Sequence, residues 1–201
     1  MRDTPLQFKS GSLSCRELDA ADIPAVQAFL DANPEYFWTV GDEAPRPDEA
    51  QQEFDELPPP ELSYRCLRHF GIYAEGEAAM VGYGSLLEDM VAEGVCHLGL
   101  FIIATARHGQ GDAALAYQGL EDWALRAGAR WMRLGVVVGN QRGERFWERQ
   151  GFVELRRREG VPAGRRINSL RVLLKPLAAG QDRDSEIQDY LAGVARDRPE
   201  P

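Results

Sequence analysis

The sequence predicts a mixed α/β protein with a mostly antiparallel central sheet of six or seven strands, flanked by about four helices. Strand-like runs separated by turn residues follow one another between residues 70 and 103, as in an antiparallel meander. Beyond them, helix-period and strand-period runs alternate, which is typical of a mixed sheet with helices packed on it. A chain of 201 residues is long enough to bury one core and form one domain.

The elements before the meander are one strand and two helices. Residues 13–18 alternate apolar and polar side chains, which favours a strand. Asp22 is a good helix N-cap and Pro24 suits the first turn, while the Asn33-Pro34 pair ends that helix. A second short helix is expected to begin at Pro47.

The later predicted elements alternate in type. They are strands at residues 70–74, 79–87 and 95–103, a helix at 112–127, a strand at 131–138, a helix at 141–150, and strands at 152–157 and 169–174. We therefore expect a flexible segment at residues 1–12, a folded domain at 13–176 and an acidic tail at 177–201.

The tail contains a further amphipathic helix by its spacing. Ile187, Tyr190, Leu191 and Val194 fall on one helical face. Such a face needs an apolar surface to pack on, either on its own domain or on a second copy of the chain, which would make the protein a homodimer.

Charge and cysteine content limit the class of protein. The net charge is −9, and residues 42–61 alone hold eight acidic side chains and one arginine. This excess argues against nucleic-acid binding and suits a cationic partner. Cys15, Cys66 and Cys96 lie far apart, which predicts reduced thiols and no metal site. With no apolar leader and no run of about 18 apolar residues, we expect a cytoplasmic protein without membrane association.

The loop between the strand at 95–103 and the helix at 112–127 has the features of an anion site. Gly109 and Gly111 let the backbone approach a ligand, and the first N–H groups of the helix point to the same place. The run from Gly109 to Ala114 also fits the dinucleotide fingerprint GxGxxA. However, the next strand ends at Asn140 without the carboxylate that this fingerprint requires.

Two motifs resemble those of the GNAT N-acetyltransferase superfamily. The segment HLGLFIIATARHGQGDA is similar to motif A, [Q/R]-x-x-G-x-[G/A], with His108, Gly111 and Ala113 at the fixed positions. The segment NQRGERFWERQGF, which begins at Asn140, resembles motif B, N-x-x-A-x-x-[F/L]-Y-x-x-x-G-F. The resemblance implies a GNAT fold and transfer of an acetyl group from acetyl-CoA to an acceptor amine, by direct attack in a ternary complex and without a metal.

The resemblance also implies a set of CoA contacts. The pyrophosphate would lie on the backbone N–H groups of the motif A loop, which comprises His108, Gly109, Gln110, Gly111, Asp112 and Ala113. The pantetheine arm would pair with Phe101, Ile102 and Ile103 like an extra strand, and a backbone N–H there would polarise the thioester carbonyl. Asn140, Phe146 and Trp147 would contact the arm from the other side.

Trp147 is a departure from the family pattern. Many members have a tyrosine there that protonates the departing thiolate, whereas an indole N–H is not an acid near neutral pH. We expect Trp147 to pack over the pantetheine site. His108 stands where the family usually has Arg or Gln, either as a cationic phosphate partner or as a tolerated substitution.

Three side chains are candidates for the general base. Alternation back from Ile103 places Phe101 and His97 on one strand face, and several family members have a Glu or His base at the corresponding place. An imidazole pKa near 6.5 suits that role, so His97→Ala is expected to remove a pH limb near 6–7. Glu88 and Glu93, in the turn before this strand, are the alternatives. A neighbouring side chain or solvent could instead satisfy the histidine, and the two carboxylates could simply be solvated.

In the family, the acceptor site is built by the first two helices and their connection. Here that region holds Tyr36, Phe37 and Trp38 in a row, followed by the acidic residues 42–61. Aromatic rings beside carboxylates would bind an organic cation. Alternatively, the rings pack into the core and the acids are solvated. An alternative function, a non-catalytic acyl-CoA-binding or sensing domain, is motivated by Trp147 and the unassigned base.

Overall fold

The computed structural model describes residues 4–177 and 182–198, which form an eight-stranded sheet covered by six α-helices. The helices are α1 (Ile23–Ala32), α2 (Glu35–Gly41), α3 (Glu49–Asp55), α4 (Asp112–Ala127), α5 (Gln141–Arg149) and α6 (Arg183–Gly193). The strands are β1 (Gln7–Ser10), β2 (Leu13–Leu18), β3 (Cys66–Ala74), β4 (Met80–Glu88), β5 (Val95–Ile103), β6 (Trp131–Val137), β7 (Val153–Ala163) and β8 (Arg166–Pro176). None of the described helices combines the length and apolar character needed to cross a membrane.

The sheet has the order β1-β2-β3-β4-β5-β6-β8-β7. All neighbouring strands are antiparallel except β5 and β6, which are parallel. Helices α4 and α5 cover one face, called here the first face, while α1–α3 and α6 divide the second face between them. The predicted mixed, mostly antiparallel class is confirmed, with eight strands rather than six or seven.

The additional strand is β1, which lies inside the segment that the sequence predicts to be flexible. That prediction is wrong for residues 7–10, because Leu6 and Phe8 are buried against the first-face core. The ring of Phe8 packs on Gly119 of α4, where an added Cβ would approach within 2.4 Å. Residues 1–3 of that segment, and 178–181 and 199–201 of the tail, lie outside the described residues.

A bulge in β5 changes which side chains share a face. Ser85 of β4 is opposite Leu100, whereas the next residue, Leu86, is opposite Leu98, so Gly99 is the extra residue. Leu98 therefore packs on the first face, and Leu100 packs with α1–α3 on the second face. The prediction that His97 shares a face with Phe101 is wrong, because it assumed unbroken alternation through this glycine.

The hairpin formed by β7 and β8 is longer than predicted, and its tip reaches α2. The backbone N–H of Arg165 donates to Gly41 O at 2.7 Å, and Asn168 Nδ2 donates to Val40 O at 2.8 Å. These contacts tie the hairpin to α2, a helix that the sequence analysis did not predict. The hairpin and α2 thereby border the second face on one side.

The tail helix packs on its own domain. The rings of Tyr190 and Trp131 lie 5.7 Å apart, and Trp131 Nε1 donates to Glu186 O at 3.2 Å. A short turn after α6 then places the Asp197 carboxylate, fully buried, against Arg133 with two hydrogen bonds of 2.6 and 2.9 Å. The apolar face predicted for the tail is therefore covered within the chain.

We predict that Asp197→Asn lowers the free energy of unfolding by about 3–5 kcal/mol, because the Arg133 guanidinium would stay buried without its counter-ion. The control is Asp189→Asn, whose exposed carboxylate lies 3.7 Å from Arg130 and should matter by less than about 1 kcal/mol. Urea unfolding followed by tryptophan fluorescence measures both. Similar losses in the two variants would contradict the prediction.

The ion pair of Arg133 and Asp197 can also be tested by measuring the free energy of unfolding at low pH. Burial raises the pKa of Asp197, but the hydrogen bonds and charge of Arg133 outweigh it and hold the pKa at about 2. Because this pKa is below the unfolded value, the pair stabilises the fold above about pH 4 and loses that contribution as the pH falls toward 2. The wild-type protein should therefore lose more stability over this pH range than Asp197→Asn.

Candidate active site

The parallel strands β5 and β6 separate part-way along their length. They pair only over residues 95–98 and 131–134, and both continue beyond the last pair. Gly99 and Gly135, the first residues past that pair, are exposed. The sheet thus opens into a cleft at the carboxyl ends of these two strands, and one edge of β5 presents its backbone N–H and C=O groups to the cleft.

The loop after β5 leads from this cleft to the N-terminus of α4. Gly109 and Gly111 have φ values of +80° and +94°, in the region that glycine adopts readily. The first helical hydrogen bond runs from Leu115 N to Gly111 O at 3.0 Å, so the N–H groups before it point out of the helix end. No atom lies within 4 Å of a Cβ built on either glycine. An anionic group fits this open, N–H-rich loop.

The His108 side chain ties the start of this loop to the end of β5. Its Nε2 lies 2.8 Å from Ile103 O, and a carbonyl only accepts, so Nε2 carries the proton. Its Nδ1 faces the guanidinium of Arg142, which only donates. This contact places the guanidinium of Arg142, at the start of α5, beside the glycine loop. Arg142 lies within motif B, but the sequence of this motif does not predict that the Arg142 side chain approaches the motif A loop.

Within the loop and the first turn of α4, most side chains have partners in the chain. Asp112 receives a 2.8 Å hydrogen bond from Arg107, which also pairs with Glu77, and Gln110 Nε2 donates to Ala106 O at 2.8 Å. Because these side chains are engaged, the backbone N–H groups are left to meet a ligand, with Ala113 adding little bulk in the first turn.

An aromatic cluster lines the first-face side of the cleft. Trp147, only 8% exposed, lies 5.7 Å from Phe101, 4.7 Å from Phe146 and 5.3 Å from Tyr117, measured between ring centroids. Burial raises the pKa of Tyr117 strongly, so its hydroxyl keeps its proton at neutral pH. The cluster therefore supplies an apolar wall, and neither Trp147 nor Tyr117 is placed as an acid near neutral pH.

Asn140 stands at the other strand end of the cleft. Its Oδ1 accepts from Gly143 N at 3.1 Å and caps α5. The side-chain oxygen is therefore used for the cap, which leaves the amide N–H groups of Asn140 for a ligand.

His97 lies on the second face, beneath the turn that follows α6. Its Nδ1 is 3.1 Å from Arg133 Nη1, so the imidazole accepts a hydrogen bond there. Burial, and then the charge of Arg133, lower the pKa of His97 to about 3. A neutral imidazole of such low basicity does not suit the task of taking a proton from an ammonium group.

Glu88 is the last residue of β4 and is fully buried, whereas the sequence placed it in a solvated turn. It forms ion pairs with Arg65 and Arg68, and Cys66 Sγ donates to it at 3.1 Å. Glu88 is therefore committed to a structural network. Within residues 4–177 and 182–198, no three His, Cys, Asp or Glu side chains are grouped closely enough to hold a metal ion.

The three adjacent aromatic residues of α2 diverge. Phe37 is in the core, Trp38 is 49% exposed, and Tyr36 is half-buried at the second face. Burial, and then the charges of Glu53 and Glu49 on α3, raise the pKa of Tyr36. Glu53 is one of the acidic residues 42–61, and it follows Ala50 by about one helical turn and directly precedes Phe54, both of which pack on the second face.

We predict that the imidazole rings of His69 and His97 both stay neutral down to pH 5. Burial lowers the pKa of His69 to about 4, and burial with Arg133 lowers that of His97 to about 3. Imidazole NMR signals followed from pH 8 to 5 and assigned with His69→Gln and His97→Gln measure this. A midpoint between 6 and 7 for His97 would contradict it and would support the base role that the sequence suggested.

Comparison with known proteins agrees with this geometry. The model of the Acetyltransferase (GNAT) family matches residues 26–152. Similar solved structures include an acetyltransferase from Thermus thermophilus (22% identity, TM-score 0.64, 82% of this chain and 97% of that one). Another is a spermidine N-acetyltransferase from Vibrio cholerae in complex with CoA and spermine (17% identity, TM-score 0.62, 88% and 99%).

A third similar structure is a probable acetyltransferase (GNAT family) from Chromobacterium violaceum, with 15% identity, a TM-score of 0.72 and coverage of 88% and 89%. At these identities the likeness shows the fold. A search of curated proteins finds no match. The family match, by contrast, spans more than half of the 201 residues. The chain therefore belongs to the GNAT acetyltransferase family and is an acyltransferase.

Proposed function

We propose that the protein transfers the acetyl group of acetyl-CoA to an amine of a small cationic acceptor, by direct attack in a ternary complex. The observation that carries this proposal is the cleft between β5 and β6, which leads into the glycine loop and the N-terminus of α4. The cleft offers a strand edge for an extended arm, and the loop offers N–H groups for a pyrophosphate. These are the two needs of a CoA thioester, the donor that the family uses.

The CoA contacts expected from the motifs fit this arrangement. The N–H groups of residues 108–113 would hold the pyrophosphate, with Arg142 as a nearby cation. The backbone of residues 101–103 would pair with the arm, while Phe146 and Trp147 form the apolar wall beside it. Asn140 would donate through its amide nitrogen, because its oxygen caps α5.

The reaction then requires little side-chain chemistry at the thioester. A deprotonated amine attacks the carbonyl carbon, and a backbone N–H of β5 stabilises the oxyanion, an effect worth about 3–4 kcal/mol where it has been measured. The C–S bond breaks and the sulfur leaves as a thiolate. After the attack the nitrogen of a primary amine carries two protons. Since Trp147 is not an acid, one of them is the available source for that thiolate, and the other stays on the amide.

The acceptor is proposed to approach from the second face, between α1–α3 and the hairpin of β7 and β8. Acidic residues are concentrated on this side, in the segment 42–61. The spermidine N-acetyltransferases among the similar structures make polyamines reasonable members of a test panel. A primary ammonium group is the common chemistry of such acceptors.

The deciding experiment is acetyl-CoA turnover with a panel of amines, including spermidine, putrescine and n-butylamine, with products identified by mass spectrometry. We expect an N-acetylated product, and initial rates that give intersecting lines when both substrates are varied. Parallel lines would indicate a covalent acetyl-enzyme and contradict direct attack. Acetyl-CoA binding without product from any amine would contradict the proposed activity.

We predict that Gly111→Ala weakens CoA binding about tenfold or more, which corresponds to about 1.4 kcal/mol. At a φ of +94° an alanine is strained, and relief of the strain would turn the loop N–H groups away. Gly76→Ala is a matched control, because Gly76 has a φ of +79° and open space around it in the β3–β4 turn. Calorimetric titration with CoA measures both variants, and equal affinities would contradict the assignment of the loop.

A further inference from the structure

Among the eight acidic residues between 42 and 61, one has neither an ion pair nor full exposure. Asp42 lies 3.4 Å from Arg166, Glu43 lies 3.6 Å from Arg165, and Glu49 lies 2.8 Å from Arg46. Four more are exposed: Asp48, Asp55, Glu56 and Glu61. The remaining one, Glu53, is partly buried, and in the described part of the chain no cationic side chain forms an ion pair with it.

Two tyrosine side chains of the second-face cluster lie close enough to this carboxylate to respond to its charge. Burial, and then the charge of Glu53, raise the pKa of Tyr83 on β4, while Tyr36 on α2 responds to burial, Glu53 and Glu49 in the same way. Burial, followed by the charges of Glu56 and Glu49, raises the pKa of Glu53 itself to about 7, and Arg46 offsets this only in part. The second face thus holds a carboxylate beside aromatic side chains, and none of the described residues forms an ion pair with it.

A second and independent observation comes from His69, which lies under Phe54 of α3. The two rings stack at 4.0 Å, and His69 Nδ1 lies 2.9 Å from the Tyr83 hydroxyl. His69 is only 7% exposed, and its Nε2 has no hydrogen-bond partner among the described residues. Unpaired buried nitrogens are exceptions in folded proteins. His69 Nε2 is therefore a polar atom below α3 that is available to a ligand.

This cluster lies next to the strand that lines the cleft. Tyr83 is opposite Ile102 in the pairing of β4 with β5, so it lies about 5 Å from the segment proposed to bind the pantetheine arm. Ile102, Tyr83 and Ala50 also belong to one apolar cluster on the second face. A group bound at Glu53 would therefore be on the acceptor side of the cleft, close to the thioester.

We propose that Glu53 binds the ammonium group of the acceptor and is the general base that removes its proton, with Tyr36, Phe54 and Tyr83 lining the site. This inference rests on the proposed function and adds the residue that would bind the primary alkylammonium group and take its proton. One carboxylate balances the charge, and the ring faces attract the cation.

The proton balance is complete without a further reactant. The ammonium group gives one proton to the Glu53 carboxylate, and the free amine forms the C–N bond as the C–S bond breaks. The second nitrogen proton goes to the departing thiolate, which gives CoA with a free thiol. Glu53 then returns its proton to solvent, and the amide is released.

The first test is a carboxyl titration that needs no turnover. In the CoA-saturated protein with ¹³C-labelled glutamate, the Glu53 signal is assigned by its absence in Glu53→Gln. We expect a midpoint near 7 that falls when n-butylammonium chloride replaces sodium chloride, because a bound cation favours the carboxylate. Addition of n-butylammonium should leave the signal of the exposed Glu61 unchanged. A Glu53 midpoint that n-butylammonium does not move overturns the inference.

The second test is kinetic and uses the best amine of the panel. Glu53→Gln should lower kcat/KM at least about 100-fold and remove the acid limb near pH 7, with unchanged affinity for CoA. Glu61→Gln, at an exposed acid of the same segment whose charge does not act on Glu53, should match the wild type. If the wild type acetylates the amine and Glu53→Gln keeps its acid limb and a rate within threefold, the inference fails and the proposed function stands.

The two failures are distinguishable. If the wild-type protein binds acetyl-CoA and acetylates no amine, the proposed function fails. The carboxyl titration with n-butylammonium then decides by itself whether Glu53 holds an organic cation.

Discussion

The separation of β5 from β6 after four residue pairs is the constraint on which the rest of the site depends. Backbone groups that lose a strand partner must find another, and here they face a cleft rather than a neighbouring strand. The bulge at Gly99 falls at the same point and turns Leu100 and Ile102 toward the second face. One short stretch of chain thus forms both the edge for the acyl donor and the apolar floor on the acceptor side.

The two ends of the second face differ in how the charge of a buried carboxylate is compensated. Under the tail, Asp197 is buried against Arg133 and also meets Arg156 and the Tyr190 hydroxyl, so charge there is compensated inside the protein. Under α3, the carboxylate of Glu53 lacks such a partner among the described residues. Three of the eight acids of the 42–61 segment hold the tip of the β7–β8 hairpin or the start of α3, and the other five form no ion pair with a described residue.

Local sequence signals predicted the elements that depend on local physics. The observed bounds of β5 and α4 agree with those predicted from the sequence. Apolar periodicity and the glycines that flank it define α4, and turn residues flank β5. The short elements β1 and α2 were missed, since burial of Leu6 and the hairpin contacts at Gly41 come from distant parts of the chain. Propensity over four or seven residues is too weak to predict such elements.

The site was predictable to a similar extent. The glycine loop has its own sequence signature. The face on which His97 lies depends on the extra residue at Gly99 in β5, and a glycine in a strand is not enough to predict a bulge. Glu88 looked solvated because its arginine partners lie 20 and 23 positions away in the sequence. Long-range partners decide whether an acidic side chain is structural or reactive, and a single sequence does not display them.

The three acid–base candidates show why partners matter more than residue type. His97 has the right ring but accepts a hydrogen bond from a buried guanidinium, which leaves it a very weak base. Glu88 has the right charge but is held between two arginines. Glu53 is buried enough to be more basic and has no ion-pair partner among the described residues, and a base is most effective when its pKa is near the working pH. The same burial makes the charged carboxylate unfavourable in the free protein, and a cation that arrives with the substrate would offset that cost.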